Sequence, residues 1–241
     1  MLIKTQAFLL SVIKYNDHDA IVKTYTREAG FLTFFIKSLY KNTRKNLKKP
    51  LFQPNSILNI VATHRQQKTM EYIREVSIAY HYKNLFFDFD KLNQSTFLRE
   101  ILINVLQNDN QPNLQLFDFI VQSFKKMDQQ PMDPDFHIKF LFQLTGYLGF
   151  LPDFETQGEY FDIAAGIFTS DLSKINNFFD KQQTSVFYKV LGMIFASKKL
   201  EKLSNFERQI ALKLILIYYQ FHLESFKEPK SLQILNDLYE K

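Results

Sequence analysis

The sequence predicts an α+β protein, a small five-stranded β-barrel followed by a larger all-helical domain. Three observations carry that expectation. Residues 1–80 alternate with the period of strands, the rest of the chain repeats its apolar residues every three to four positions, and the charge divides at the same place. The 241 residues suffice for one large domain or two modest ones, and a hydrophobic content of 46% provides for a core.

Lys4 to Tyr15 is rich in β-branched and aromatic residues and ends at the polar cluster Asn16-Asp17-His18-Asp19, a turn. Ala20 to Thr26 alternates again, with Ile21, Lys23 and Tyr25 on one face and Val22 and Thr24 on the other. Gly30 closes the short connection that follows and is the natural site for a positive φ. Phe31 to Ile36 makes a third strand. Ile57 to Thr63 and Met70 to Ser77 make a fourth and a fifth, joined through residues 64–68. Five strands in about 80 residues, with the one long connection between the third and fourth, match an OB-type barrel. Small SH3-like barrels share the count, and the pattern alone does not choose between them.

After Ala79 the period becomes helical. Asn93 to Gln107 places Phe97, Ile101 and Val105, with Leu98, Leu102 and Leu106, at helical spacing. Pro112 opens a second helix through Leu116, Ile120 and Phe124. Asp133-Pro134 reads as the cap and first turn of a third, Phe136 to Leu148, which ends in the Gly146–Gly149 region. Residues 151–170 read as an irregular insert, with helices resuming near Asp171. Ser204 and Glu207 form a capping box before the apolar stretch Ile210 to Phe226, and Lys230 to Glu240 is a short terminal helix. The expected domains are therefore 1–80, an OB-type barrel, and 81–241, helical with its insert near 151–170.

Composition excludes several chemistries. Without cysteine there is no disulfide, thiol nucleophile or thiolate metal site. Residues 1–140 contain only Gly30, which rules out a Walker loop or a dinucleotide fingerprint there. The five histidines lie far apart, with no helical pair of the kind a zinc site uses, and no G-x-S-x-G elbow occurs. No catalytic residue, metal or cofactor is expected, and the chain reads as a non-enzyme. The purest apolar stretch, Leu214 to Leu223, is far shorter than the roughly 18 residues of a membrane span. The apolar run Ala7 to Ile13 lacks a small-residue cleavage site and continues into strand-like sequence. A cytoplasmic location, with no membrane contact, is the expectation.

The strongest positive signal is charge. Residues 1–80 hold 13 Lys and Arg against 5 Asp and Glu, a net of +8, while the remainder carries a net of −3. A basic module beside a mildly acidic one points to a polyanionic partner. Lys37, Lys41, Arg44, Lys45, Lys48 and Lys49 fall within the fourteen residues from Lys37 to Pro50, without one acid. Charge runs are usually solvated loops, but this run sits at a barrel's edge, where phosphate neutralisation is the favoured reading. Tyr25, Phe34 and Tyr40 are candidates to stack on unpaired bases, with core filling the commoner fate of any one aromatic. A generic single-strand DNA- or RNA-binding OB protein, and a helical interaction scaffold, are the alternatives.

Thr5-Gln6-Ala7-Phe8-Leu9-Leu10, Asp19-Ala20-Ile21-Val22, Thr24 to Gly30, Lys37, the basic segment and Leu51-Phe52-Gln53-Pro54 together resemble the N-terminal half of bacterial RecO proteins. Phe140 to Pro152 resembles that family's helix and its exit through Gly, an aromatic and Pro. The resemblance is sharp over residues 5–60 and 136–170. It implies a recombination mediator in DNA repair that binds single- and double-stranded DNA and anneals complementary strands. With RecR, such a protein helps load RecA onto DNA coated by single-strand-binding protein, and its helical domain grips that protein's C-terminal tail. Carried over by position, Lys37, Arg44, Lys45, Lys48 and Lys49 match the family's basic segment. Arg27 matches the position before the Glu-x-Gly turn, where an ion pair with Glu28 or a neighbour competes with DNA contact. Two departures stand out. Many members place four zinc-binding cysteines after the exit, whereas Asp153 to Ser170 has none and must hold itself by packing Phe154, Tyr160, Phe161, Ile167 and Phe168. The family's glycine after the third-strand Lys is Ser38, which predicts a different exit for the loop.

Overall fold

A computed structural model describes residues 2–41, 49–63, 70–107, 111–173, 175–195 and 202–239. The chain forms two compact units, Met1–Gln130 and Pro131–Lys241. In the first, strands β1 (Leu2–Lys14), β2 (Ala20–Thr26), β3 (Gly30–Ile36), β4 (Ile57–Thr63) and β5 (Tyr72–Tyr80) form one sheet in the order β3-β2-β1-β4-β5. Every neighbouring pair is antiparallel. The long β1 serves two partners, its first half pairing with β4 and its second with β2.

The register between β1 and β2 shifts at Leu9/Ser11, a bulge that bends the strand as barrel closure requires. Closure itself falls between β3 and β5. The Phe35 N–H donates to the Glu71 carbonyl at 2.9 Å and the Glu71 N–H to the Thr33 carbonyl at 2.9 Å, around a parallel bridge of Phe34 and Glu71. This is the strand order of an OB-type barrel, which strand count alone does not separate from an SH3-like one.

Alternation then sorts the side chains. Ala7, Leu9, Val22, Phe34, Leu58 and Ile60 fill the barrel. Phe8 and Tyr25, which face each other across β1 and β2, turn outward yet are fully buried. Two helices cover them: α1 (Phe89–Leu106) and α2 (Leu114–Gln129). Phe8 packs edge-on against Phe124 at 4.6 Å and Tyr25 lies 6.4 Å from Phe117. From α1, Arg99 donates from Nη1 to the Leu10 carbonyl at 2.9 Å, the group that the bulge takes out of the ladder. The change of period near residue 80 thus marks the switch from strand to helix, while the compact unit runs on to Gln130.

The second unit contains α3 (Phe136–Leu148), three short strands β6 (Tyr160–Asp162), β7 (Ile167–Thr169) and β8 (Phe178–Phe179), then α4 (Lys181–Phe195), α5 (Asn205–His222) and α6 (Leu232–Tyr239). The insert expected to be irregular is a small antiparallel sheet in the order β7-β6-β8, and helix resumes only at Lys181, ten residues later than expected. Strands of two or three residues are too short to register as a period. They are held by rings: Phe161 lies 5.0 Å from Phe168, 5.6 Å from Phe179 and 4.6 Å from Phe187 of α4. Phe161 and Phe168 pack as the sequence requires, Ile167 and Tyr160 are half-buried, and Phe154 stays partly exposed, stacked on Phe195 at 4.8 Å.

The capping box forms as read, with the Glu207 N–H donating to Ser204 Oγ and the Ser204 N–H to Glu207 Oε2. The start of α3 differs. Its N-cap is Asp135 rather than Asp133, and Asp133 instead accepts the Asp135 N–H at 3.0 Å and the Lys139 ammonium at 2.9 Å. At its other end Gly149 takes φ 88°, the left-handed turn that glycine permits.

Candidate nucleic-acid interface

Both ends of the basic segment are anchored on the barrel. Leu39 and Phe52, on either side of the segment, are both buried in the barrel core, with Tyr40 and Leu51 packed beside them. The departure is tied to the β1–β2 turn, where Asn16 Oδ1 accepts the N–H groups of His18 and Asp19. Asp19 Oδ1 accepts the Ser38 N–H at 2.8 Å, and the Tyr40 N–H donates to the His18 carbonyl at 2.9 Å. The Ser38 N–H first, and Asn16 next, hold the Asp19 carboxyl below its ordinary range. At the far end, a 3-10 turn spans Lys49–Leu51, and the Lys49 ammonium lies 5.7 Å from the centre of the Tyr40 ring. The two ends of the segment therefore meet.

Ser38 itself has φ 57°, in the left-handed region that glycine favours. The side chain is accommodated in the conformation a glycine would adopt, and its N–H is anchored on Asp19.

Of the cations expected to meet phosphate, Lys37, Lys41 and Lys49 are exposed at this neck. Arg44, Lys45 and Lys48 lie outside the described residues. Arg27 sits apart. Its guanidinium donates twice to Asp118 of α2, Nε to Oδ1 and Nη2 to Oδ2, each at 3.1 Å, and lies 3.7 Å from Glu28. The hydrogen bond lowers the Asp118 pKa and raises that of Arg27. Nothing in the sequence links these two residues, 91 positions apart.

The expected stacking rings divide. Tyr25 and Phe34 are wholly buried and present no face to a base, which corrects that expectation. Tyr40 is half-buried under Lys49. Exposed aromatics occur elsewhere on the barrel: Tyr15, just past β1, and Tyr72, the first residue of β5, both flank Phe35 of β3.

The family described as Recombination protein O N terminal matches residues 1–82, and Recombination protein O C terminal matches residues 87–233. The chain belongs to the RecO family. A DNA repair protein RecO from Flavobacterium psychrophilum is 33% identical over 240 residues, covering 99% of this chain and 100% of its own. The protein of that name from Christiangramia forsetii is 34% identical over the same shares, and that from Flavobacterium johnsoniae 32%. Among solved structures, the Entamoeba histolytica asparaginyl-tRNA synthetase aligns with 95% of this chain and 58% of its own at 10% identity. Its TM-score is 0.28, too slight a likeness to carry an argument.

The zinc that many RecO proteins bind has no fit here. The β6–β8 region offers no thiolate, its interior is occupied by phenylalanine rings, and no group of three His, Asp or Glu among the described residues is placed to hold a metal. No helix among the described residues is long and apolar enough to cross a membrane.

Proposed function

We propose that this RecO-family chain acts as a recombination mediator in the cytoplasm. In this reading it binds single- and double-stranded DNA through Lys37, Lys41, Arg44, Lys45, Lys48 and Lys49, and anneals complementary strands. With RecR it helps load RecA onto DNA coated by single-strand-binding protein, whose C-terminal tail it takes on its helical part. The observation that carries the DNA contact is the acid-free basic segment, whose two ends are fixed together on the rim of a barrel module of net charge +8. Annealing needs no bond chemistry. Two polyanions must be brought together with their charge neutralised, after which base pairing proceeds unaided. Arg27 is set aside as a phosphate contact because Asp118 already takes its fork, and its part is to fasten α2 to the β2–β3 turn.

Fluorescence anisotropy with labelled single-stranded DNA, titrated across salt beside a Lys45/Lys48/Lys49→Glu variant, tests this. About five phosphate contacts give a log–log salt slope of about −3.5 to −4.5. Steep salt dependence and loss of binding in the variant are expected. Equal binding by variant and wild type would refute the assignment of the segment. Loading of RecA in the presence of RecR, and capture of the tail peptide, are the two further assays the mediator reading must pass.

A further inference from the structure

The outward face of β1–β3 is covered by α1 and α2 at one end only. Beyond Phe8 and Tyr25, the same face continues through Lys23 and Thr33, which pair, to the row Ile13, Ile21 and Phe35. No helix among the described residues covers this end: Ile13 is about half exposed and Ile21 and Phe35 are each partly so. Two tyrosines extend the row. Tyr15 packs edge-on against Phe35 at 5.6 Å and Tyr72 does so from the other side at 6.2 Å. The barrel seam brings Tyr72 there, because the bonds between β3 and Glu71 set the start of β5 alongside Phe35.

The edge-on contacts fix the rings while leaving Tyr15 61% and Tyr72 55% exposed. Aromatic rings grouped in water on one face of a small barrel point to a binding site. Its electrostatics identify the occupant. Lys23 lies in the row before Phe35, Lys37 is exposed just past the end of β3, and Arg74 is exposed two residues beyond Tyr72. Of the neighbouring acids, Asp17 pairs with Lys14 at 3.1 Å and Asp19 accepts from the Ser38 N–H and the Asn16 amide, while Glu75, next to Arg74 on β5, is exposed. Glu71 is buried. A strip of aromatic rings bordered by the cations Lys23, Lys37 and Arg74 suits a ligand that is anionic along one edge and flat and aromatic along the other. Unpaired nucleotides have that form, whereas a duplex hides its base faces within the stack.

We propose that Tyr15, Phe35 and Tyr72 form a stacking platform for the unpaired bases of single-stranded nucleic acid, giving the barrel a preference for single strands that the basic segment alone does not confer. The inference rests on the DNA-binding reading and assigns to it a second, chemically distinct contact.

The test compares the full chain with Tyr15→Ala/Tyr72→Ala and Tyr15→Phe/Tyr72→Phe variants by anisotropy. Three labelled probes of equal length are used: oligodeoxythymidine, a duplex, and an abasic single strand. Both tyrosines are more than half exposed, so an unchanged circular dichroism melt is the folding control. The alanine variant is expected to lose about tenfold or more in affinity for oligodeoxythymidine, while duplex and abasic binding shift less than about twofold. The phenylalanine variant, which keeps the rings, restores single-strand affinity. Equal losses on all three probes, or no loss on the single strand, would overturn the platform while leaving the basic segment standing. Wild-type protein that binds none of the three probes at low salt would overturn both readings.

Discussion

Arg208 and Asp135 show what a single buried pair demands. Arg208 Nε donates to Asp135 Oδ1 at 2.8 Å, with both side chains almost wholly buried, and its other nitrogens reach Asn205 at 2.7 Å and the Leu203 carbonyl at 3.1 Å. Asp135 stands at the N-cap of α3, but its side chain makes no capping hydrogen bond and is taken instead by Arg208. The motif Asp133-Pro134 satisfies local capping rules, yet a residue 73 positions away recruits Asp135, and no local rule contains that partner. Arg208→Met leaves Asp135 buried without a counter-charge and is expected to cost about 3–5 kcal/mol in urea unfolding. A loss below 1 kcal/mol would show that water reaches the carboxylate. Next to this pair His137 is fully buried. Burial first, and Arg208 second, lower its pKa to about 3 from 6.5. Its folded form therefore stays neutral where the unfolded chain takes up a proton. Stability rises with pH between about 3 and 6.5 and falls as the solution is acidified through that window. A His137→Leu variant is expected to show a flatter melting temperature between pH 6.5 and 4 than wild type, and identical slopes would sink the assignment.

At the scale of elements, the connection from β5 to α1 depends on the far end of α2. Asp128 accepts N–H groups from Lys83, Asn84 and Leu85 and the hydroxyl of Tyr80, at 2.7 to 3.1 Å. Burial alone would raise its pKa, but the N–H groups of Asn84, Leu85 and Lys83 outweigh it and keep the carboxyl below its ordinary range. Lys91, also buried, donates to the backbone carbonyls of Asp128 and Gln130. Asp128→Ala strands several donors that the fold has desolvated and is expected to destabilise the chain by about 2–4 kcal/mol. Hydrogen exchange at Lys83, Asn84 and Leu85 should accelerate in this variant before global unfolding, and protection matching wild type would argue against the clamp. The sequence offered no sign of it. Strands β2 and β4 were read to the residue because alternating β-branched side chains bounded by turns leave few other options. The clamp was invisible because an aspartate late in a helix reads as an ordinary polar residue until the connection folds over it. The proposed stacking face is illegible for a related reason: Tyr15 just past β1, Phe35 of β3 and Tyr72 of β5 lie far apart in sequence, and barrel closure is what sets Tyr72 beside Phe35.

For the molecule as a whole, the division of charge and the division of structure do not coincide. The basic sequence ends near residue 80, where the family's N-terminal match ends at 82, whereas the first compact unit extends through both helices to Gln130. The packing explains the extra length. A five-stranded barrel has one interior, yet β1 and β2 also send Phe8, Leu10 and Tyr25 into complete burial outside the barrel's own core cluster. Burying such side chains contributes about 1.5–3 kcal/mol each. Three of them together approach the whole net stability of a small domain, about 5–15 kcal/mol. To this α1 and α2 add Arg99 on the bulge carbonyl, the Arg27–Asp118 fork and the Asp128 clamp. The packing therefore predicts that the barrel folds only together with its two helices. A fragment ending at residue 82 is expected to lack a cooperative melt and to bind a hydrophobic dye, whereas one ending at Gln130 melts in a single transition. Calorimetry and dye fluorescence on the two fragments decide it. A sharp melt from the shorter fragment would mean that the barrel core alone suffices and that the helices are docked onto it rather than required by it.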